Sequence, residues 1–336
     1  MRTRIVCFSA VCAAALYGPA LLATEPACGK APRGSLWSQT PWLSLEIVGG
    51  RIVATSSRCG SHRLTAEPAE GATARQNLLM QVQPGVVTAH YELIDERSEL
   101  VLSVDERGRL SIVRRGSEGH SLAEVRYTQP AAGDVTLSIG GPAPRTYSAA
   151  SLWHLLVIEP EAAGEYLLPL LAQLRPNWQI GEQRQQLEAA LVARADEDPL
   201  PARRQWQAWV EQLAGDEFGQ RQAADRQLRA AGQPALGFLR QLDTRQLAPE
   251  QRRRIAGILA HAAAADADSP ARAADWLLAD KRVWLSLMNR GELDQRIAAA
   301  QHLTRLCGRS VAFDPDAAAD KRQAQLAELQ AKLAEN

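Results

Sequence analysis

The stretch from Arg204 to Leu259 constrains this chain more than any other. Trp206, Trp209, Val210 and Leu213 recur at i, i+3, i+4 and i+7, a spacing that gathers all four on one side of an α-helix. Gly215-Asp216 interrupts the run, and a second one carries Phe218, Ala224 and Leu228 until Gly232 stops it. Glycine suits that place because it takes the left-handed backbone of a helix C-terminus without a steric penalty. Pro234 and Pro249 open two more runs, marked by Leu236, Leu239 and Leu242 and by Ile255, Ile258 and Leu259. Proline fits a first helical turn, where its missing N–H has no partner to lose. Short rods that are apolar on one side are marginal alone, so the pattern implies helices stacked in file.

Upstream, from about Trp42 to Ile139, the period drops to two. LSLEIV and RIVATS flank Gly49-Gly50, the two-residue turn whose positive φ closes a hairpin. LLMQVQ, VVTAHYELI, LVLSV, LSIVR, AEVRYT and VTLSIG follow, punctuated by Pro84-Gly85, Arg107-Gly108 and Gly140-Gly141. Seven or eight short antiparallel strands are expected, in a small sandwich or open barrel. At Tyr147 the period changes. Ser148 or Ser151 can cap a helix carrying Trp153, Leu156 and Val157. Pro160 restarts a helix with Leu167, Leu170, Leu171 and Leu174 on one face, and Pro169 inside it predicts a kink or break. A further run has Leu187, Ala190 and Leu191. ADEDPLP, residues 195–201, is acidic, holds two prolines and reads as a linker. The expected class is α+β. A β-rich domain spans 24–147, a helical connector 148–195, a linker 196–202 and a helical domain 203–336.

The helical part repeats internally. RQAADRQL from Arg221 to Leu228 matches RIAAAQHL from Arg296 to Leu303, an offset of 75 residues. Phe218 and Leu293 precede their arginines equally, as do Leu213 and Met288, and Gly232 and Gly308 close the two units. Leu213, a Gly-Asp turn, Phe218, Arg221, Ala223-Ala224, Leu228, Gly232, Pro234 and Leu236 together resemble a HEAT repeat. The likeness is to HEAT-like modules of secreted bacterial proteins. It covers residues 203–336, and its second unit lacks a proline matching Pro234. It implies an α-solenoid that presents a surface, with no catalytic residues common to the family.

Composition narrows the partners. Lys+Arg and Asp+Glu stand at 38 each, so no overall field draws in nucleic acid or an anionic membrane. Arg2 and Arg4 precede a short apolar stretch, Ile5 to Tyr17, with small residues around Ala20 and Ala23. That is the form of an export signal over 1–23, too short to span a bilayer. The mature chain is therefore expected to be soluble in the periplasm or outside the cell. In an oxidising compartment Cys28 and Cys59 can pair, or remain two separate thiols in loops; Cys307 reads as a small apolar group in a helix.

Chemistry is thinly signalled. Cys59-Gly60-Ser61-His62 offers too few ligands for zinc, even with Cys28. Asp314, Asp316 and Asp320 lack the glycine and terminal glutamate of a calcium loop and suit capping. His90, His120, His154, His261 and His302 sit in no HExxH or Gly-x-Ser-x-Gly context. No catalytic, cofactor or metal set is expected. Arg252, Arg253 and Arg254 form the densest basic run, a candidate contact surface, although successive helical residues point about 100° apart. The sequence thus implies a non-catalytic scaffold for a protein partner, with an enzyme sited in the β-rich domain, or a structural envelope component, as alternatives. A scaffold predicts a contiguous exposed apolar patch on the array. An enzyme predicts a deep pocket around His62, His90 or His120.

Overall fold

The computed structural model describes Leu36 and residues 40–334, apart from 67–73, 84, 118, 243–245 and 263–266. Ten strands occur among these: β1 (Leu43–Val48), β2 (Arg51–Ser56), β3 (Gly60–Ala66), β4 (Arg75–Gln83), β5 (Val86–Ile94), β6 (Ser98–Val104), β7 (Leu110–Gly116), β8 (Val125–Gln129), β9 (Val135–Ile139) and β10 (Arg145–Ala149). β1 and β2 form a hairpin, and β3 to β10 run as one antiparallel meander in sequence order. Side chains opposite one another in register share a face. Leu64, Leu78, Tyr91, Leu102, Ile112, Tyr127, Leu137 and Tyr147 thereby form one transverse row on the inner face. The next row over points outward and carries Ser103, Ser111, Thr128, Thr136 and Ser148. One face is apolar and the other hydroxyl-rich, as a half-buried sheet requires.

Of the expected sandwich or open barrel, the described residues show an open antiparallel sheet, with no ladder joining β3 to β10. The hairpin lies against the inner face. Gln129 Oε1 accepts from Ile52 N at 2.8 Å, and Gln129 Nε2 donates to Ile52 O at 2.9 Å. Two strands escape the sequence reading. Gly60-Ser61-His62, expected in a loop, begins β3, and Tyr147, where the period was expected to change, lies within β10. Both are edge strands with little to bury, so neither carries a strong alternation.

The helices are α1 (Leu152–Ile158), α2 (Pro160–Ala162), α3 (Leu168–Leu174), α4 (Ile180–Ala193), α5 (Leu200–Gln212), α6 (Phe218–Ala230), α7 (Gly232–Gln241), α8 (Pro249–Ala262), α9 (Pro270–Leu277), α10 (Lys281–Met288), α11 (Leu293–Cys307) and α12 (Ala319–Ala334). Ser151 caps α1 by accepting from His154 N at 3.3 Å, while Ser148 lies in β10. Between α2 and α3 the helix widens into a single π turn, Ala163–Leu167, just ahead of Pro169. The expected kink becomes a widened turn because Pro169 has no N–H and its ring crowds the preceding turn.

Buried side chains fall into two clusters. The larger joins the sheet, the hairpin, α1 to α4, α9 to α11 and Leu326 of α12. The smaller is built from α5 to α8, with Val210, Leu213, Ala224, Leu228, Leu236, Phe238, Leu239, Ile255 and Ile258. α9 to α11 lie beyond residues 196–202 in sequence and share the sheet's core. At the joint, Gly237 of α7 meets Trp276 of α9, and a Cβ on Gly237 would lie 2.8 Å from the indole. Phe218, expected within an apolar stripe, is instead the first residue of α6 and 62% exposed, with the Arg221 guanidinium 5.8 Å from its ring centroid.

A fastening of long sequence separation ties α9 to the β region. Asp268, just before α9, accepts from Gly49 N at 2.7 Å, Gly50 N at 2.6 Å and Trp153 Nε1 at 2.9 Å. Gly49 and Gly50 have φ of 58° and 72°, and successive amides in that conformation form a concavity that accepts an anion. Gly50 admits no side chain, since a Cβ there would lie 2.5 Å from Ser151 Cβ.

Candidate functional site

Two hydroxyl–imidazole–carboxylate chains occur among the described residues, and neither forms a sequence motif. The first lies on the outer face of the sheet. His90 Nδ1 is 3.2 Å from Ser103 Oγ on the neighbouring strand, and His90 Nε2 is 3.0 Å from Glu92 Oε1. The hydrogen bond with His90 holds Glu92 below the ordinary carboxylate range. This group borders an open depression of about 580 Å³ that His62 also lines. The two histidines do not converge. His62 lies opposite Met80 and stacks on Trp42 at 4.6 Å, whereas His90 lies opposite Leu79, so they occupy opposite faces. β5 and β6 are paired on both sides, which commits their backbone amides to the ladder and leaves none to stabilise an oxyanion.

The second chain is Ser151, His154 and Asp280. Ser151 Oγ is 2.7 Å from His154 Nδ1, and His154 Nε2 is 3.7 Å from Asp280 Oδ2. Ser151 and His154 are only 6% and 2% exposed, so substrate has no path to the hydroxyl. Each outer member is also a cap: Ser151 serves α1, and Asp280 accepts from Arg282 N at the start of α10. Burial pushes the His154 imidazole below its ordinary value, against the pull of Asp280. His154 thereby ties the N-terminus of α1 to that of α10.

The other sequence candidates separate. Cys28 lies outside the described residues, so its pairing with Cys59 does too; Cys59 is exposed and Cys307 half-buried at the end of α11. Arg252 and Arg253 are exposed on α8, while Arg254 turns to Glu250 at 2.7 Å. Asp314 Oδ1 accepts from Asp316 N at 3.2 Å, a local turn, and Lys321 approaches its other oxygen at 3.4 Å. No group of three His, Cys, Asp or Glu among the described residues is placed to hold a metal ion, and no helix among them is long and apolar enough to cross a membrane. Large exposed apolar side chains are scattered at Leu79, Leu122, Phe218 and Leu293.

A cleft of about 770 Å³ lies between α10, α12 and residues 158–161. Arg290 and Ser286 close the end of α1 there: Arg290 Nη2 donates to Val157 O at 2.7 Å, and Ser286 Oγ donates to the same carbonyl at 2.8 Å. Arg290 also pairs with Glu188 at 3.1 Å. Burial raises the Glu159 carboxyl above its ordinary value. The cleft's lining mixes apolar Ile158, Leu326 and Leu333 with charged Glu159, Lys281, Arg282 and Arg290.

One polar site was also missed by pattern reading. The His302 ring lies between two backbone carbonyls, with Nδ1 2.6 Å from Ala195 O and Nε2 2.8 Å from Leu278 O. Trp284 stacks on it at 4.0 Å and donates Nε1–H to Leu278 O at 2.8 Å. A scan of protein-family models, a search of curated proteins and a search of solved structures each return no match to this chain.

Proposed function

We propose that the protein is an exported, non-catalytic binding module whose HEAT-like helices present a polar surface to a protein partner. Arg2, Arg4 and the apolar residues 5–17 support export. The observation that carries the binding role is the equivalence of the two repeat units. Leu213 and Met288, Ala224 and Ala299, and Leu228 and Leu303 are all buried in pairs. Arg221 and Arg296 each reach back to a glycine carbonyl before their helix, Gly215 O at 2.8 Å and Gly291 O at 2.5 Å. A unit repeated in this way spends its side chains on building rods, and α8, which lies between the two units, carries the exposed Arg252 and Arg253. The contact is therefore charged rather than greasy, and salt-sensitive. Affinity capture on the wild-type chain and on Arg252→Glu/Arg253→Glu tests it. A partner held by the first and lost by the second is expected; equal recovery on both excludes this face.

The Ser103–His90–Glu92 chain favours an enzyme as the second reading. A fluorophosphonate, which esterifies activated serines, distinguishes the two. No labelling is expected for a binding module, and labelling abolished by Ser103→Ala would establish the enzyme.

A further inference from the structure

The position of His302 carries a consequence for the linker between the large core and the core of α5 to α8. A neutral imidazole has one N–H and one lone pair, whereas an imidazolium has two N–H groups. Both ring nitrogens of His302 face carbonyl oxygens, Ala195 O at 2.6 Å and Leu278 O at 2.8 Å. The neutral ring can satisfy one of them and turns a lone pair on the other. The charged ring satisfies both. We propose that His302 is a proton-operated latch: the charged ring donates to both Leu278 of the large core and Ala195 at the start of the linker, and loss of the Nδ1 proton loosens Ala195.

The linker is where such a latch matters. Ala195 ends the segment after α4, and α5 begins at Leu200, so residues 195–199 are the covalent entry to the small core. Arg305 also donates to Ala195 O, so the carbonyl keeps one donor when the latch opens, and the linker loosens without detaching.

The charges around the ring are mixed. From its own helix comes Arg305. From the linker come Asp196, Glu197 and Asp198, and at its head Arg194 pairs with both Glu197 and Asp275 of α9. α10 contributes Trp284, and its charged residues Lys281 and Arg282 line the cleft near residues 158–161. Burial depresses the His302 pKa from its ordinary 6.5, the two carbonyls and Asp198 oppose that, and Arg305 adds to it. The latch is therefore open at neutral pH and closes in acid.

Two readouts then move in opposite directions. The native pKa lies below the unfolded value, so global stability falls as pH drops through the ordinary histidine range. Over the same interval the linker amides become better protected. A histidine with a purely structural role produces the first effect alone.

Hydrogen exchange on the full chain at pH 5 and pH 8, corrected for intrinsic chemistry, tests the latch. The amides of residues 195–198 and of Leu200 should be about tenfold better protected at the lower pH, a change equal to one pKa unit of coupling. In His302→Gln, which has one amide donor group and no titration, that difference should vanish. Equal protection at the two pH values in the wild-type chain, or an undiminished difference in the glutamine variant, overturns the proposal. Should the variant not fold, ¹⁵N shifts of the wild-type imidazole decide: ring titration must track linker protection, and titration without it refutes the latch.

Discussion

The unit around Arg221 and the unit around Arg296 have the same local design and different surroundings. In each, an arginine near the start of a helix returns to a glycine carbonyl, a leucine about two turns further along is buried, and a glycine with φ of 66° or 63° follows. Yet Leu228 belongs to the small cluster of α5 to α8, and Leu303 to the large one that includes the sheet. The difference lies in what is added to the pattern. Where the first unit has Gln227, the second has His302, wedged between two carbonyls and stacked on Trp284. The repeat specifies a rod; polar and aromatic insertions specify which core the rod joins.

The comparison is broken most severely by removing the paired leucines. Leu303→Ala should cost about 2–5 kcal/mol and lower the urea midpoint of the whole protein, because a buried cavity forms in the shared core. Leu228→Ala should cost a similar amount but register mainly as looser exchange within residues 200–262. Loss of sheet protection in both variants alike would mean that the cores are one.

Asp268→Ala should destabilise by about 3 kcal/mol, since three buried or partly buried N–H donors lose a charged acceptor. Thermal unfolding measures it. A shift no larger than that of an exposed aspartate would show that the hairpin does not need α9.

Gly237→Ala addresses the joint between the cores. The added Cβ would crowd Trp276, and overpacking of this kind costs about 1–3 kcal/mol. Tryptophan fluorescence should report the indole displaced while sheet circular dichroism stays unchanged.

The smallest effect is that of acid. His154 and His302 both have pKa values lowered by burial, so the unfolded chain takes up protons first as pH falls below about 6.5. Stability is then lost progressively toward lower pH, at no more than about 1.4 kcal/mol per unit per histidine. A denaturation series from pH 7.5 to 5 measures the slope, and His154→Asn should remove its share. A slope of opposite sign would mean that the ion-like contacts outweigh burial.

Much of the local structure was legible because it is periodic. Val210, Leu213, Leu228, Leu236, Leu239, Ile255 and Ile258 are buried as their spacing requires, and Gly49 and Gly50 have the positive φ that their turn demands. Gly108 does the same in the turn between β6 and β7, where Asp105 accepts from Arg107 N and Arg109 N. β3 and β10 were not legible, because an edge strand buries too little to impose alternation. Nor was the sharing of one core by α9 to α11 and the sheet. That depends on single long-range contacts such as Asp268 with Gly49, 219 residues apart, which leave no periodic trace. Arg252 and Arg253 could be read as exposed from the helical pattern alone. The His90 and His154 chains could not, since Ser103, Glu92 and Asp280 acquire their roles only through strand register and helix packing.

Native-state hydrogen exchange in low denaturant tests most directly whether the two similar units belong to separate cores. Amides of α6 to α8 should open together at a lower free energy than those of α9 to α11, and the latter should open with β4 to β8. If α6 and α11 exchange in a single cooperative event with the sheet, the division of the rods between two cores is wrong.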